Sequence, residues 1–184
     1  MLLETERLIL RQLRVSDRSD LLEYHGDKHV VRYIPWTARS IAEVDQAIAL
    51  YGRSPKSLEN EGDAIVVGWQ VKSTGKVIGQ SNASLVSLVN QTADIGRVSN
   101  RMFWRQGYAY EATVAFMAYL MNQTTVRRII ANIDVRNPES ARLAQKLGMQ
   151  LEGEFKKSIY TKGEWCDMWL YALPKNDIDR RTIG

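Results

Sequence analysis

The sequence predicts a mixed fold of the α/β (α+β) class, and three observations support this prediction. Segments with strand-like and helix-like patterns follow one another along the 184 residues in the order β-α-α-β-β-β-α-β-α-β-β. No repeat, linker or low-complexity segment divides that series, which indicates a single domain over residues 1–184. Apolar residues make up 45% of the chain and charged residues 25%, the balance of a globular protein with a sizeable core.

The first half of the chain predicts one strand, two helices and three further strands. Residues 7–11 form an apolar run that predicts the first strand. Ser16 and Asp17 are residue types that cap helices, and they precede a helix that we expect to end near residue 24. Ser40 can cap a second helix, because apolar side chains recur behind it at helical spacing. Three strands separated by Gly-, Ser- and Asn-containing turns are predicted at residues 63–72, 76–88 and 92–99.

The second half predicts two helices and three strands. A glycine-containing turn is followed by a helix that reaches about residue 122, and residues 128–135 alternate as a strand does. Asn137 and Pro138 are a strong helix start, and Gly148 is placed to end that helix. A final hairpin is predicted at residues 155–160 and 165–173. We expect the core to span about residues 4–173, followed by a polar tail over 174–184.

Composition narrows the possible partners and the compartment. The formal charge is +4, and the basic residues are dispersed, which suits an anionic small ligand and does not indicate nucleic-acid binding. Cys166 is the only cysteine, so no internal disulfide is possible, and we expect it to act as a small buried hydrophobe. His25 and His29 lack metal-ligand spacing, which favours a surface role and predicts no metal. With no signal peptide and no apolar run long enough to span a bilayer, a cytoplasmic location is expected.

The segment from Trp104 to Ala112 carries the main chemical signal. Gly107 and Ala109 are small residues in a turn that opens a helix. The first backbone N–H groups of a helix lack intrahelical acceptors and lie at the positive end of its dipole, so such a turn can bind phosphate.

Four blocks of sequence together resemble one superfamily. They are Glu4-Thr5-Glu6-Arg7-Leu8-Ile9-Leu10-Arg11, Asp94-Ile95-Gly96 through Gly107-Tyr108-Ala109-Tyr110-Glu111-Ala112, Arg136-Asn137-Pro138-Glu139-Ser140 through Lys146-Leu147-Gly148-Met149, and Glu152-Gly153 with Gly163-Glu164-Trp165 through Leu170-Tyr171-Ala172-Leu173. In this order and spacing they resemble the GCN5-related N-acetyltransferase (GNAT) superfamily, and within it the branch of ribosomal-protein alanine N-acetyltransferases. The resemblance implies a mostly antiparallel central sheet of about seven strands, with helices on both faces and a splayed central pair of parallel strands.

The resemblance also implies acetyl-CoA as the acyl donor and a site for it. Val98 and Ser99 would pair with the pantetheine arm, and a backbone N–H near Ser99 would polarise the acyl carbonyl. Arg105 stands where the branch usually has glycine, so it either crowds the phosphates or adds a contact to them. The full set of implied CoA-binding residues is Val98, Ser99, Trp104, Arg105, Gln106, Gly107, Tyr108, Ala109, Asn137, Ser140, Arg142 and Lys146.

Catalytic candidates follow from the same resemblance. Many relatives use a tyrosine acid at the position of Ala144, so Ser140 is the nearest hydroxyl that could protonate or hydrogen-bond the thiolate; alternatively, it only supports the helix start. Asp94 is the first choice of general base, ahead of Asp134 and Asp167. The expected walls of the acceptor pocket are Trp36 and Tyr160.

The acceptor is expected to be a primary amine that attacks acetyl-CoA directly in a ternary complex. A protein or peptide N-terminal α-amine is the first hypothesis. A small amine, such as a polyamine or an aminoglycoside-like compound, is the alternative, and a non-catalytic acyl-CoA sensor is a third. No nucleic-acid or membrane partner is expected, and the chain is expected to be a monomer or a homodimer.

Overall fold

The computed structural model describes residues 2–55 and 57–174, and the predicted polar tail from residue 175 onward lies outside this range. The strands are β1 (Leu2–Glu4), β2 (Leu8–Arg11), β3 (Ala64–Val71), β4 (Val77–Ser87), β5 (Thr92–Ser99), β6 (Arg128–Asp134), β7 (Gln150–Thr161) and β8 (Glu164–Pro174). The helices are α1 (Arg18–His25), α2 (Ile41–Tyr51), α3 (Tyr108–Gln123) and α4 (Pro138–Lys146), with short 3₁₀ turns at Val15–Asp17 and Arg101–Phe103. Among these described residues, no helix has the length and apolarity needed to cross a membrane.

The eight strands form one sheet in the order β1-β2-β3-β4-β5-β6-β8-β7. Every neighbouring pair is antiparallel except β5 and β6, which run parallel. The predicted mixed, mostly antiparallel fold is therefore confirmed. The additional strand is β1, which sequence patterning missed because three residues are too few to show alternation and their order comes from pairing with β2.

Two apolar clusters place helices on opposite faces of the sheet. The larger cluster includes Phe116 of α3 and Ala144 of α4, and the smaller one includes Leu21 of α1 and Ile48 of α2. Burial of these apolar faces holds the helices to the sheet.

The parallel pair of strands separates after three residue pairs. Thr92, Ala93 and Asp94 pair with residues 128–130 of β6, and no further pair forms between the two strands. Beyond this point β5 stays paired with β4 and β6 stays paired with β8. A gap therefore opens in the middle of the sheet, as the resemblance implied.

Asp17 occupies the N-cap position of the first helix, as predicted, but its side chain does not cap that helix. The side chain is buried and accepts a hydrogen bond from the Arg14 backbone N–H, at the start of the preceding 3₁₀ turn. Its carboxylate accepts two 2.8 Å hydrogen bonds from the Arg11 guanidinium, which is also buried. Burial opposes ionisation of Asp17, but hydrogen bonds from Arg11 and from the Arg14 backbone outweigh it and lower the pKa of the carboxyl group.

Candidate functional site

Two clefts meet where β5 and β6 separate. The turn cleft, about 660 Å³, is bounded by the glycine turn (residues 103–110) and by α4. The sheet cleft, about 510 Å³, is bounded by β3 to β6 and by the loop over residues 33–36. Six residues line both clefts: Tyr33, Ile34, Arg97, Val98, Asn137 and Ser140. A ligand in one cleft can therefore meet a ligand in the other at these residues.

The glycine turn presents the start of a long helix to the turn cleft. Gly107 is the N-cap of α3, with a left-handed φ of 85° and no capping side chain. The backbone N–H of Glu111 bonds to the Gly107 carbonyl, so the N–H groups before it are those that helix geometry leaves without an intrahelical acceptor. Arg105 also has a left-handed φ, 61°, which explains why glycine suits that position in the branch that this chain resembles.

The turn is fixed by Arg7 and Glu111. The Arg7 Nε donates to Glu111 Oε2 at 2.7 Å, and its Nη1 donates to the Gln106 carbonyl at 3.0 Å. The guanidinium also lies 4.2 Å from the centre of the Tyr108 ring. Burial opposes ionisation of Glu111, but hydrogen bonds from Thr5 and Arg7 outweigh it, so the pKa of the carboxyl group is lowered. This clamp gives the N-terminal sequence block a physical role in shaping the turn.

The turn cleft is strongly cationic. Its lining contains one acidic residue, Glu139, against a set of five basic residues: Arg32, Arg97, Arg105, Arg142 and Lys146. Glu139 accepts a 2.8 Å bond from Arg142 and lies 3.7 Å from Arg105. The Lys146 ammonium lies 4.5 Å from the centre of the Tyr110 ring. This excess of positive charge beside a helix N-terminus suits a polyphosphate.

The remaining residues that were predicted to bind CoA occupy different places. Trp104, Tyr108 and Ala109 line the turn cleft, whereas Gln106 is outside its lining and donates to the Met102 carbonyl at 2.9 Å. Ser99 lines the turn cleft, and its carbonyl accepts a 3.0 Å bond from the Trp104 indole. The Trp104 side chain thereby joins the glycine turn to the end of β5.

The three candidate bases differ in their position relative to the clefts and in the direction of their pKa shifts. Asp134 lines the sheet cleft, but it is ion-paired with Arg136, which lowers its pKa against the opposing effect of burial. Asp167 is outside the lining of both clefts, and a hydrogen bond from the Lys157 backbone lowers its pKa. Asp94 lines the sheet cleft, accepts a 3.0 Å bond from the neutral Asn132 amide, and has a pKa raised by burial. Only Asp94 combines a place in the cleft with a pKa shifted toward that of a proton acceptor.

Ser140 lies at the junction of the clefts with a partner that sequence reasoning missed. Asn137 caps α4 by accepting from the Ser140 N–H at 3.2 Å, as predicted. The Arg97 Nη2 donates to both Ser140 Oγ and the Ser140 carbonyl at 3.0 Å. Burial lowers the pKa of Arg97 to about 10. The sequence signal that could have indicated this position of Arg97 is strand alternation, because Arg97 lies on the same face of β5 as the buried Ile95. Ala144 is fully buried and offers no hydroxyl.

The aromatic candidates divide between the cleft and the surface. Trp36 lines the sheet cleft, and the Arg39 guanidinium lies 4.1 Å from the centre of its ring. Tyr160 lies outside the lining of both clefts, is 61% exposed, and packs on Trp165 with 5.4 Å between ring centres. Alternation along β7 instead turns its two neighbours, Ile159 and Thr161, into the lining of the sheet cleft.

Two further expectations concern the cysteine and the histidines. Cys166 is buried as predicted, and its Sγ accepts a 3.2 Å bond from Arg136. The expected surface role of His25 is wrong, since it is fully buried and its Nε2 lies 2.9 Å from Gln80 Oε1. No cluster of three or more potential metal-binding side chains occurs in the part of the chain that the structure describes.

A mixed sheet that splays at one parallel pair, beside a cationic cleft at a glycine-turn helix, is the architecture of an acyl-CoA-dependent N-acetyltransferase. The chain belongs to the GNAT acetyltransferase family, because residues 7–150 match the family described as Acetyltransferase (GNAT) domain. It is 30% identical over 175 residues to the uncharacterized N-acetyltransferase p20 of Bacillus licheniformis, covering 95% of this chain and 97% of that protein.

Two other known proteins are also similar to this chain. The crystal structure of a GNAT-family acetyltransferase from Bacillus anthracis superposes with a TM-score of 0.84 at 27% identity, covering 96% of this chain and 99% of that one. The ribosomal-protein-serine acetyltransferase of Escherichia coli K12 is 28% identical over 97 residues, which cover 53% of this chain and 54% of that protein.

Proposed function

We propose that this N-acetyltransferase transfers the acetyl group of acetyl-CoA to the α-amine of a protein or peptide N-terminus, in a ternary complex. The observation that carries the proposal is the meeting of two chemically different clefts at the splayed strands. One is cationic and opens onto a helix N-terminus, and the other is apolar and aromatic with few charges. The donor would occupy the first cleft and the amine the second.

The turn cleft supports a defined arrangement of the donor. Its pyrophosphate would accept hydrogen bonds from the first N–H groups of α3. Its negative charge would be attracted to Arg105, Arg142 and Lys146. The pantetheine arm would follow Val98 and Ser99 into the gap between β5 and β6, where backbone groups have no strand partner. Asn137 and Ser140 would then flank the thioester.

The polar groups of the sheet cleft favour a peptide over a polyamine. Its lining contains two carboxylates, Asp94 and Asp134, and the second is already neutralised by Arg136. One remaining carboxylate suits a single amine, whereas a polyamine carries several positive charges that need partners. The amides of Gln80, Asn82 and Asn132 line the same cleft and can bond a peptide backbone. The E. coli relative, named for acetylation of a ribosomal protein, also supports this choice.

The proposed chemistry is direct acyl transfer. Asp94 takes a proton from the ammonium group, through a water where needed, so that the neutral amine can attack. The amine nitrogen bonds to the acyl carbon, and a fixed backbone N–H near Ser99 stabilises the oxyanion. The nitrogen then releases its second proton to solvent, and the oxyanion collapses to the amide carbonyl. When the C–S bond breaks, its electron pair stays on sulfur, which receives a hydrogen bond from Ser140.

The test is a matched panel of acceptors with acetyl-CoA, following release of the CoA thiol. Peptides with free N-termini should turn over, and the same peptides with blocked N-termini should not, even when they contain lysine. Spermidine and an aminoglycoside should be poorer acceptors by kcat/KM. If a small amine is preferred over every peptide, the small-molecule alternative replaces the proposal.

A further inference from the structure

Arg97 is a partly buried cation at the point where the two clefts meet. It lies on β5 just beyond the last β5–β6 pair, and it lines both clefts. No carboxylate among the described residues lies within 4.0 Å of its guanidinium. A partly buried cation that lines a cleft and has no counter-ion in the protein is suited to stabilise an anion in that cleft.

The acidic groups and the thiol around Arg97 form hydrogen bonds or ion pairs with other residues. On β6 and the loop after it, Asp134 pairs with Arg136, and on α4, Glu139 pairs with Arg142. On its own strand, Asp94 accepts from the Asn132 amide. Cys166, on β8, lines the sheet cleft and accepts a bond from Arg136. The side-chain hydrogen bonds that Arg97 makes within the described chain go to Ser140 alone.

The contact makes Ser140 Oγ a hydrogen-bond acceptor toward Arg97. A guanidinium can only donate, so Arg97 occupies a lone pair of Ser140 Oγ and leaves the hydroxyl proton available. Within the described residues, that hydroxyl proton has no acceptor in the protein. Because Nη2 also bonds the Ser140 carbonyl at 3.0 Å, the guanidinium is held against the first turn of α4. The free O–H can then point into the junction of the clefts.

We propose that Arg97 is a positioning residue that aims the Ser140 hydroxyl at the CoA sulfur and stabilises the departing thiolate with its charge. The proposal rests on the proposed function, because it assigns the junction of the clefts to the thioester. In the transfer step, the C–N bond forms, the C–S bond breaks, and both electrons of the broken bond remain on sulfur. The nitrogen releases a proton to solvent, Ser140 keeps its proton, and the thiolate is protonated by solvent after it leaves. The pair therefore stabilises the thiolate by a hydrogen bond and by charge, and it does not donate a proton as a tyrosine acid would.

The decisive experiment measures binding and needs no acceptor. Dissociation constants for CoA and for desulfo-CoA would be measured between about pH 6 and about pH 9, a range that spans the ordinary thiol pKa of about 8.5. Because Arg97 and Ser140 would stabilise the thiolate, the pKa of the bound thiol should be lowered. In the wild type, the preference for CoA over desulfo-CoA should therefore rise with pH, beginning at least about one unit below the ordinary thiol pKa. In Arg97→Met that rise should disappear, whereas Arg97→Lys should keep part of it.

The outcomes separate this proposal from the proposed function. An identical pH-dependent preference in the wild type and Arg97→Met would overturn the role of Arg97, whatever acceptor is found. Normal thiolate binding with no turnover of any amine would instead overturn the acceptor assignment. If Arg97→Met fails to fold, Arg97→Lys and Ser140→Ala carry the test, since Ser140→Ala should also reduce the preference for CoA.

A kinetic cycle tests whether Arg97 acts through Ser140. Arg97→Met should lower kcat by about 10- to 100-fold, at or below the lower limit for a positioned acid because no proton is donated, with KM for the amine unchanged. In the Ser140→Ala background, the same change should cost less, because only the charge of Arg97 is lost and the hydroxyl that it positions is already absent. If Arg97→Met instead raises KM for an acceptor with a free carboxylate but not for its amide, Arg97 binds the acceptor and the proposal fails.

Discussion

At the scale of single residues, the site is marked by ionisable groups that are partly or fully buried. Burial shifts the pKa of Asp94 upward and lowers that of Arg97 and of His25. In each case the shift opposes the charged form, and the nearest hydrogen-bond partner carries no opposite charge. His25 differs from the other two, because it lies behind the wall of the sheet cleft, with its ring centre 4.7 Å from that of Trp36.

The neutrality of His25 predicts a pH-dependent loss of stability. Burial lowers its pKa to about 4, whereas an unfolded histidine titrates near 6.5. Between these two values the unfolded chain binds a proton that the folded protein does not, so stability falls as the pH drops through this window. The loss is on the order of 3 kcal/mol by the time the pH reaches the folded pKa.

Urea denaturation at several pH values would measure this effect, with His25→Gln as the comparison. The variant should lose the slope between about pH 6.5 and about pH 4.5, although its absolute stability will differ. Carboxylates with lowered pKa, such as Asp17 and Glu111, destabilise the fold only at lower pH, so they do not mimic the effect. An unchanged slope in His25→Gln would assign the titration to another group.

At the scale of elements, the glycine turn couples the first sequence block to the third helix. Gly107 must adopt a φ of 85°, and a Cβ added there would approach the Arg7 Nη2 to 3.2 Å. This tight contact is with the clamp that holds the turn. A side chain at this position would therefore strain the backbone and also push the Arg7 guanidinium by a few tenths of an ångström.

Gly107→Ala should weaken CoA binding by about tenfold or more while costing about 1–2 kcal/mol of stability, the penalty of a left-handed alanine. Gly163→Ala is a matched control, because Gly163 has the same φ of 85° in the turn between β7 and β8, with nothing within 4 Å of an added Cβ. Both variants should lose similar stability, but only Gly107→Ala should lose CoA affinity, as measured by calorimetry. Equal affinities would mean that the turn does not hold the pyrophosphate.

Elements whose signals are local were predictable, and those set by distant contacts were not. The Asn137 cap and the glycine turn are encoded in adjacent residues, so both were recognised. By contrast, a β-bulge between Phe155 and Ile159 shifts the register of β7, which left the orientation of Tyr160 unpredictable. The contact of Arg97 with Ser140 joins residues 43 positions apart; strand alternation gives the face of β5 on which Arg97 lies, but it does not give the partner.

At the scale of the whole molecule, the site depends on segments that are far apart in the chain. The loop over residues 31–34 comes from the first quarter of the sequence, yet Tyr33 and Ile34 line both clefts. The turn between β7 and β8 reaches this loop from the other end of the fold. There the Lys162 ammonium donates to the Val31 carbonyl at 2.6 Å and to the Arg32 carbonyl at 3.2 Å. One side chain thus ties the C-terminal hairpin to the loop beside the junction of the clefts.

Removing that tie should loosen the wall of the site without unfolding the sheet. Lys162→Met keeps the length of the side chain but loses its donors, so residues 31–34 should exchange their amide hydrogens faster. KM for the acceptor should rise several-fold, because Tyr33 and Ile34 would no longer be held between the clefts. Lys28→Met is the control, since Lys28 is an exposed lysine near the same loop and its loss changes the net charge equally. If both variants show the same exchange rates and the same KM, the hairpin does not hold the loop, and the shape of the junction comes from the sheet alone.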